Sequence, residues 1–217
     1  MENILNVFSS PIVTTFIEKN TNDLKKETKF ANNEYQKNTG KKNYRVLEKY
    51  PKIKKILLEN YKKFAKEKLR FTEDFEISTS WITKIENGGE CQQHCHKNCF
   101  YSGVYYYDDE YEQNVGGKLE IQTPLMNIPD FYLIPEEWNL FNSRVVDVFP
   151  VKNLLVLFPS YLLHRVLPYY GTTPRKSLAF NIVPVGSYGN KDSSYNTSWV
   201  SGSTKGFASR RGLDITS

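Results

Sequence analysis

Histidine, cysteine, methionine and tryptophan are all scarce, with three, three, two and three copies in 217 residues. The odd cysteine count, crowded at Cys91, Cys95 and Cys99, makes a poor disulfide framework. A reducing cytoplasmic compartment is the simpler expectation, the host cytoplasm if a phage encodes the chain. No apolar run approaches the roughly 20 residues of a membrane helix. The N-terminus (MENILNVFSSPIVTTFIEKN) also lacks the basic start and unbroken apolar core of a signal peptide. No alternation of strand and helix patterns exists that could build a Rossmann sheet, and there is no phosphate-cradling glycine loop. The net charge of +5 is mild and sits largely in one helix, so it argues little for a nucleic-acid partner.

What the chain does have is aromatic side chains, 15 Tyr and 13 Phe, which suit strands and a lined pocket. Its length fits one domain with decorated ends. Residues 4–17 read as a short leading strand that joins the edge of a later sheet. Residues 19–43 read as a surface helix or mobile connection. From Pro51, apolar residues at Ile53, Ile56, Leu57, Tyr61, Phe64, Ala65 and Leu69 recur at helical steps, with lysines opposite. From Phe75 the period changes to two, and strand patterns recur at 100–107, 118–122, 145–149, 154–158, 163–167 and 176–183. A helix followed by a run of short strands predicts an α+β, mainly β protein with an antiparallel sandwich or barrel core. The expected division is an N-terminal strand and helical buttress over 1–74, a β core over 75–185 and an extended tail over 186–217. The aromatic, proline-containing stretch 125–143 fits a lid or pocket wall and fits packing equally well. The tail either wraps its own domain or a neighbouring subunit of a homodimer.

All three histidines can serve one site. Side chains two apart on a strand share a face, so His94 and His96 can present two imidazoles to one point. His164, from a distant antiparallel strand, completes a facial set with open positions opposite, which suits iron(II) that must also bind a cosubstrate and dioxygen. Arg175 follows 11 residues later, within reach of a hairpin return, and Ser177 shares its face. A guanidinium and a hydroxyl together can hold a carboxylate. Of Tyr105 and Tyr106, alternation points one into the barrel, where its hydroxyl can meet a cosubstrate, and the other out.

The ordered set Trp81, Gly88–Gly89, His94-x-His96, Ser102-Gly103-Val104-Tyr105-Tyr106, Phe158-Pro159-Ser160, His164-Arg165-Val166, Arg175-x-Ser177 and Phe180-Asn181 resembles a family of 2-oxoglutarate/Fe(II) oxygenases from phages and marine bacteria, related to prolyl-4-hydroxylase-like enzymes. The resemblance covers about residues 75–185. It implies a double-stranded β-helix (a jelly-roll, cupin-like barrel), with Fe(II) and 2-oxoglutarate as cofactors and O2 as cosubstrate. It implies that His94, His96 and His164 are the catalytic metal ligands, and that Arg175 with Ser177 holds the distal carboxylate of 2-oxoglutarate. The implied reaction is oxidative decarboxylation to succinate and CO2, coupled to hydroxylation of a peptide, nucleobase or small metabolite. The wider superfamily has a carboxylate where this chain has His96. Either three histidines hold the metal, or His96 is the first ligand with Asn98 in the acid's place, or a displaced carboxylate such as Asp108 contributes.

Two rivals remain open on sequence. Cys91, His94, Cys95, His96 and Cys99 could form a structural zinc site, although they crowd into nine residues rather than two spaced pairs. A metal cupin without 2-oxoglutarate would share the histidines and have no need of Arg175 and Ser177.

Overall fold

The structure is a computed structural model, and it describes residues 9–19, 21–27, 44–108, 110, 112, 114–124, 134–139 and 141–197. In chain order its elements are β1 (Val13–Phe16), α1 (Pro51–Phe64), β2 (Asp74–Ile85), β3 (Cys91–His94), β4 (Tyr101–Tyr105), β5 (Leu119–Gln122), β6 (Val145–Val148), β7 (Leu154–Pro159), β8 (His164–Val166), β9 (Arg175–Tyr188) and β10 (Tyr195–Thr197). The strands form two antiparallel sheets. The larger runs β1-β7-β4-β9, with β2 and β10 paired to β9, and the smaller runs β3-β8-β5-β6. From β2 to β9 the chain passes back and forth between the sheets. This winding is the double-stranded β-helix.

Period-two patterning explains how the larger sheet serves two layers. Tyr101 and Tyr105 of β4, Leu155 and Leu157 of β7, and Leu178, Phe180 and Ile182 of β9 point away from the barrel. They pack against Ile53, Leu57 and Tyr61, one stripe of α1. The intervening positions point inward: Val104 of β4, Val156 and Phe158 of β7, and Leu119 and Ile121 of β5 form the inner core. Pro51 at the first turn suits the start of α1, since its missing N–H would have had no helical partner there. The helix passes into a wider turn over Ala65–Leu69 and stops at Arg70, whose φ of 62° ends it in a left-handed cap.

Gly103 carries a close approach between neighbouring strands of the larger sheet. Phe180, its Cα partner on β9, lays its ring where a side chain would stand, and an added Cβ would lie 2.2 Å from the ring.

The leading strand joins the sheet edge as expected, at Val13–Phe16 against β7, and residues 1–8 lie outside the described residues. Most of the expected connection over 19–43 also lies outside them. Its described part makes a short 3-10 turn with Leu24 fully buried in the outer core. The stretch 125–143 is described only at 134–139 and 141–143, where Ile134, Trp138 and Phe141 are exposed. β9 runs on to Tyr188 and β10 returns along it, so the start of the expected tail is strand, and 198–217 are not described. Among the described residues, no helix is long and apolar enough to cross a membrane.

Candidate metal centre

β3 ends on His94, and β8 begins on His164 directly opposite it in register. His96 lies two residues past the end of β3, where its backbone N–H donates to the Ser160 carbonyl at 3.0 Å. Ligand atoms of the three rings all lie within 4.8 Å of one another.

The hydrogen bonds behind the rings fix what each ring presents in front. His94 Nδ1–H donates to the Gln92 carbonyl at 2.7 Å, and His164 Nδ1–H to the Leu162 carbonyl at 2.9 Å. His96 Nδ1–H donates to the Asn181 Oδ1 at 2.7 Å. A neutral imidazole has one N–H, so each ring holds its Nε2 as a bare lone pair. The Nε2 atoms of His94 and His96 stand 3.2 Å apart, which is repulsive unless a cation lies between them. Two nitrogens about 2.1 Å from one metal, at a right angle, stand about 3 Å apart. The His94–His96 spacing therefore fits a divalent metal, and the third ring offers its nitrogen within 4.8 Å of both. Burial pushes the His164 pKa down to about 3 and lowers that of His96, in each case with repulsion from a neighbouring histidine adding to the effect, so both rings favour the neutral, ligating form.

The same cavity holds Arg175. Its walls are the inward positions of successive strands: Trp81 and Thr83, Val104 with Tyr106 just beyond β4, Leu119, Phe158, Val166, and Arg175, Ser177 and Ala179. Arg175 is 1% exposed, and none of its three side-chain nitrogens has a hydrogen-bond partner among the described residues. Its guanidinium lies over the Tyr106 ring, 5.1 Å from the centroid. The Tyr106 hydroxyl is also buried without a hydrogen bond, and burial raises its pKa despite the nearby guanidinium. Gly117, at φ +70°, leaves room for the stem of Arg175, which would lie 3.0 Å from an added Cβ. A buried cation with no acceptor is costly, and so it marks a place for an anion.

Several sequence expectations separate here. The structure brings His94, His96, His164, Arg175 and Ser177 to one cavity. Asn98 stays out of it, exposed in a left-handed turn. Asp108 is buried on another face and pairs with Lys176 at 3.3 Å. The cysteines are not part of the metal-competent cluster, though Cys91 lines the cavity beside His94. Tyr106 faces the cavity, whereas Tyr105 turns outward to share a 2.6 Å hydrogen bond with Thr21. Sequence reasoning did not foresee Asn181 and Ser102 behind His96, because a strand pattern does not show which side chains meet across strands. A larger aromatic groove of about 270 Å³, lined by Phe71, Phe75, Phe100 and Tyr188, contains none of the histidines.

Fold and site together define a double-stranded β-helix protein with three histidines converging on a cavity that holds a buried arginine. Residues 79–181 match the model of the family described as "Putative 2OG-Fe(II) oxygenase". Among solved structures, HygX from Streptomyces hygroscopicus with iron bound is 11% identical, with a TM-score of 0.52 over 81% of this chain and 82% of that one, which shows the shared fold. A Pseudomonas putida prolyl-4-hydroxylase is 21% identical at TM-score 0.42, over 59% of this chain. This chain covers 63% of that protein's length, short of two thirds. A viral collagen prolyl hydroxylase from Paramecium Bursaria Chlorella virus-1, in complex with 2OG, is 11% identical at TM-score 0.41, over 60% of this chain and 72% of that one. No curated protein matches the sequence.

Proposed function

We propose that the protein is an Fe(II)- and 2-oxoglutarate-dependent dioxygenase that hydroxylates a substrate C–H bond, with His94, His96 and His164 as metal ligands. The observation that carries this reading is Arg175: a fully buried guanidinium, without an acceptor, in the cavity where three Nε2 lone pairs converge. A dicarboxylate that reaches from metal to guanidinium satisfies both ends at once. Arg175 takes the distal carboxylate by charge-assisted hydrogen bonds, with Ser177 and the Tyr106 hydroxyl as further donors. When bound, iron(II) and 2-oxoglutarate supply the oxidative decarboxylation, to succinate and CO2, that drives hydroxylation. The chain's own contribution is to hold three neutral rings at fixed angles, to anchor the cosubstrate and to keep water out with Val104, Leu119, Phe158 and Val166.

A metal cupin that does not use 2-oxoglutarate is the second reading, favoured by the neutral His96 where a carboxylate would lower the metal's charge. A reducing cytoplasmic setting belongs to the same proposal and is supported by three cysteines in free form. Calorimetric titration of the metal-loaded protein with 2-oxoglutarate separates the two enzymes. Saturable binding that is lost in Arg175→Ala supports the dioxygenase, and equal binding by both proteins contradicts it.

A further inference from the structure

The backs of the three rings differ. His94 and His164 lean on backbone carbonyls of their own segments, whereas His96 leans on side chains from distant strands. Thr79 of β2, Asn181 of β9 and Ser102 of β4 are consecutive Cα partners in one row across the larger sheet. All three side chains are linked on its inner face. Asn181 Nδ2 donates to Thr79 Oγ1 at 3.1 Å, which turns its Oδ1 toward His96. Ser102 Oγ donates to the same Oδ1 at 2.9 Å and lies 3.0 Å from His96 Nδ1. Ser160 Oγ lies 2.9 Å from Ser102 Oγ, while the Ser160 carbonyl holds the His96 backbone. His96 sits outside regular strand, so without this row nothing in its own segment would choose its tautomer or ring angle.

Resting on the three-histidine reading above, we propose that Asn181, supported by Ser102 and Thr79, is the positioning residue for His96. Its amide oxygen holds the ring in the Nδ1–H tautomer and aims Nε2 at the metal, so that a neutral imidazole fills a position the wider superfamily gives to a carboxylate. Asn181 does not touch the metal. It acts through the ring, as acceptors behind metal-bound histidines do, and losing such an acceptor typically weakens metal affinity about 10–100-fold.

Co(II) is the probe, titrated anaerobically into metal-free protein, with affinity read from calorimetry and ring N–H protons from paramagnetically shifted NMR. Wild type should show three shifted, solvent-exchangeable N–H protons, one per ring. Asn181→Leu should bind Co(II) about 10–100-fold more weakly and lose or broaden one of them. Asn181→Asp, which keeps an acceptor for Nδ1–H, should retain all three protons and bind at least as tightly as wild type. Should Asn181→Leu fail to fold, Asn181→Asp decides, since affinity as low as that of His96→Ala overturns the proposal. Wild-type affinity with three protons in Asn181→Leu also overturns it. His96→Ala separates this idea from its basis. If that variant binds Co(II) like wild type, the three-histidine reading falls, and if it alone loses the metal, only the role of Asn181 falls.

Discussion

Arg175 carries a cost that the proposed carboxylate site would turn to use. Its charge is buried, and apart from the Tyr106 ring face it is given no compensating partner by the described residues. Arg175→Met should therefore raise the thermal stability of the metal-free protein, by about 1 kcal/mol or more, while abolishing 2-oxoglutarate binding. A lower melting temperature in that variant would mean that the guanidinium has a structural partner. Tyr106→Phe should leave stability nearly unchanged and weaken 2-oxoglutarate by about 1 kcal/mol, roughly a factor of five, in the same calorimetric titration. At this scale the histidines were legible because they are rare and share one spacing logic. Tyr106 was legible only as one of a pair, until the face of β4 was known. Asn181 and Ser102 were legible as members of the motif set but not as partners of His96, because their meeting depends on register between strands 79 residues apart in sequence.

Among the elements, β4 and β9 matter most, because each serves the outer core with one face and the site with the other. Gly103 and Phe180 are where that double duty is tightest. Gly103→Ala should cost about 1–3 kcal/mol, read as a lower denaturant midpoint with an unchanged slope. Because Ser102 and Val104 flank Gly103, a shift of β4 should also disturb the cavity, so metal affinity should fall with stability. An unaffected midpoint would show that Phe180 can swing aside. Most strands could be read from alternation and α1 from its stripe. β3 could not be bounded that way: CQQH is polar on both faces, and the chain leaves the strand before His96. The two imidazoles still converge, His94 held by a carbonyl of its own segment and His96 by side chains of β4 and β9. Phe100, the first residue of the expected 100–107 strand, falls just before β4, exposed and stacked on Phe75 in the outer groove.

For the whole molecule, the barrel supplies two things that a sequence pattern only suggests: closeness of residues far apart in the chain, and dryness. Residues 81 to 179 contribute walls to one cavity, so the three histidines, the buried Arg175 and the apolar lining form a unit. Metal binding at this unit should stabilise the whole barrel, because it links β3, β8 and the segment pinned to β4 and β9. At about 100 times the dissociation constant, a metal specific to the native state adds about 2.7 kcal/mol, which a thermal scan with and without Co(II) would show. The central claim is that one cavity binds iron and 2-oxoglutarate together and couples them to oxygen. The most direct test adds Fe(II) and then 2-oxoglutarate anaerobically, watches for the weak visible metal-to-ligand charge-transfer band, and then admits O2 and measures succinate. The predicted result is a saturable band, absent in Arg175→Met, followed by succinate formation. No band and no succinate from a folded, metal-loaded protein would contradict the account.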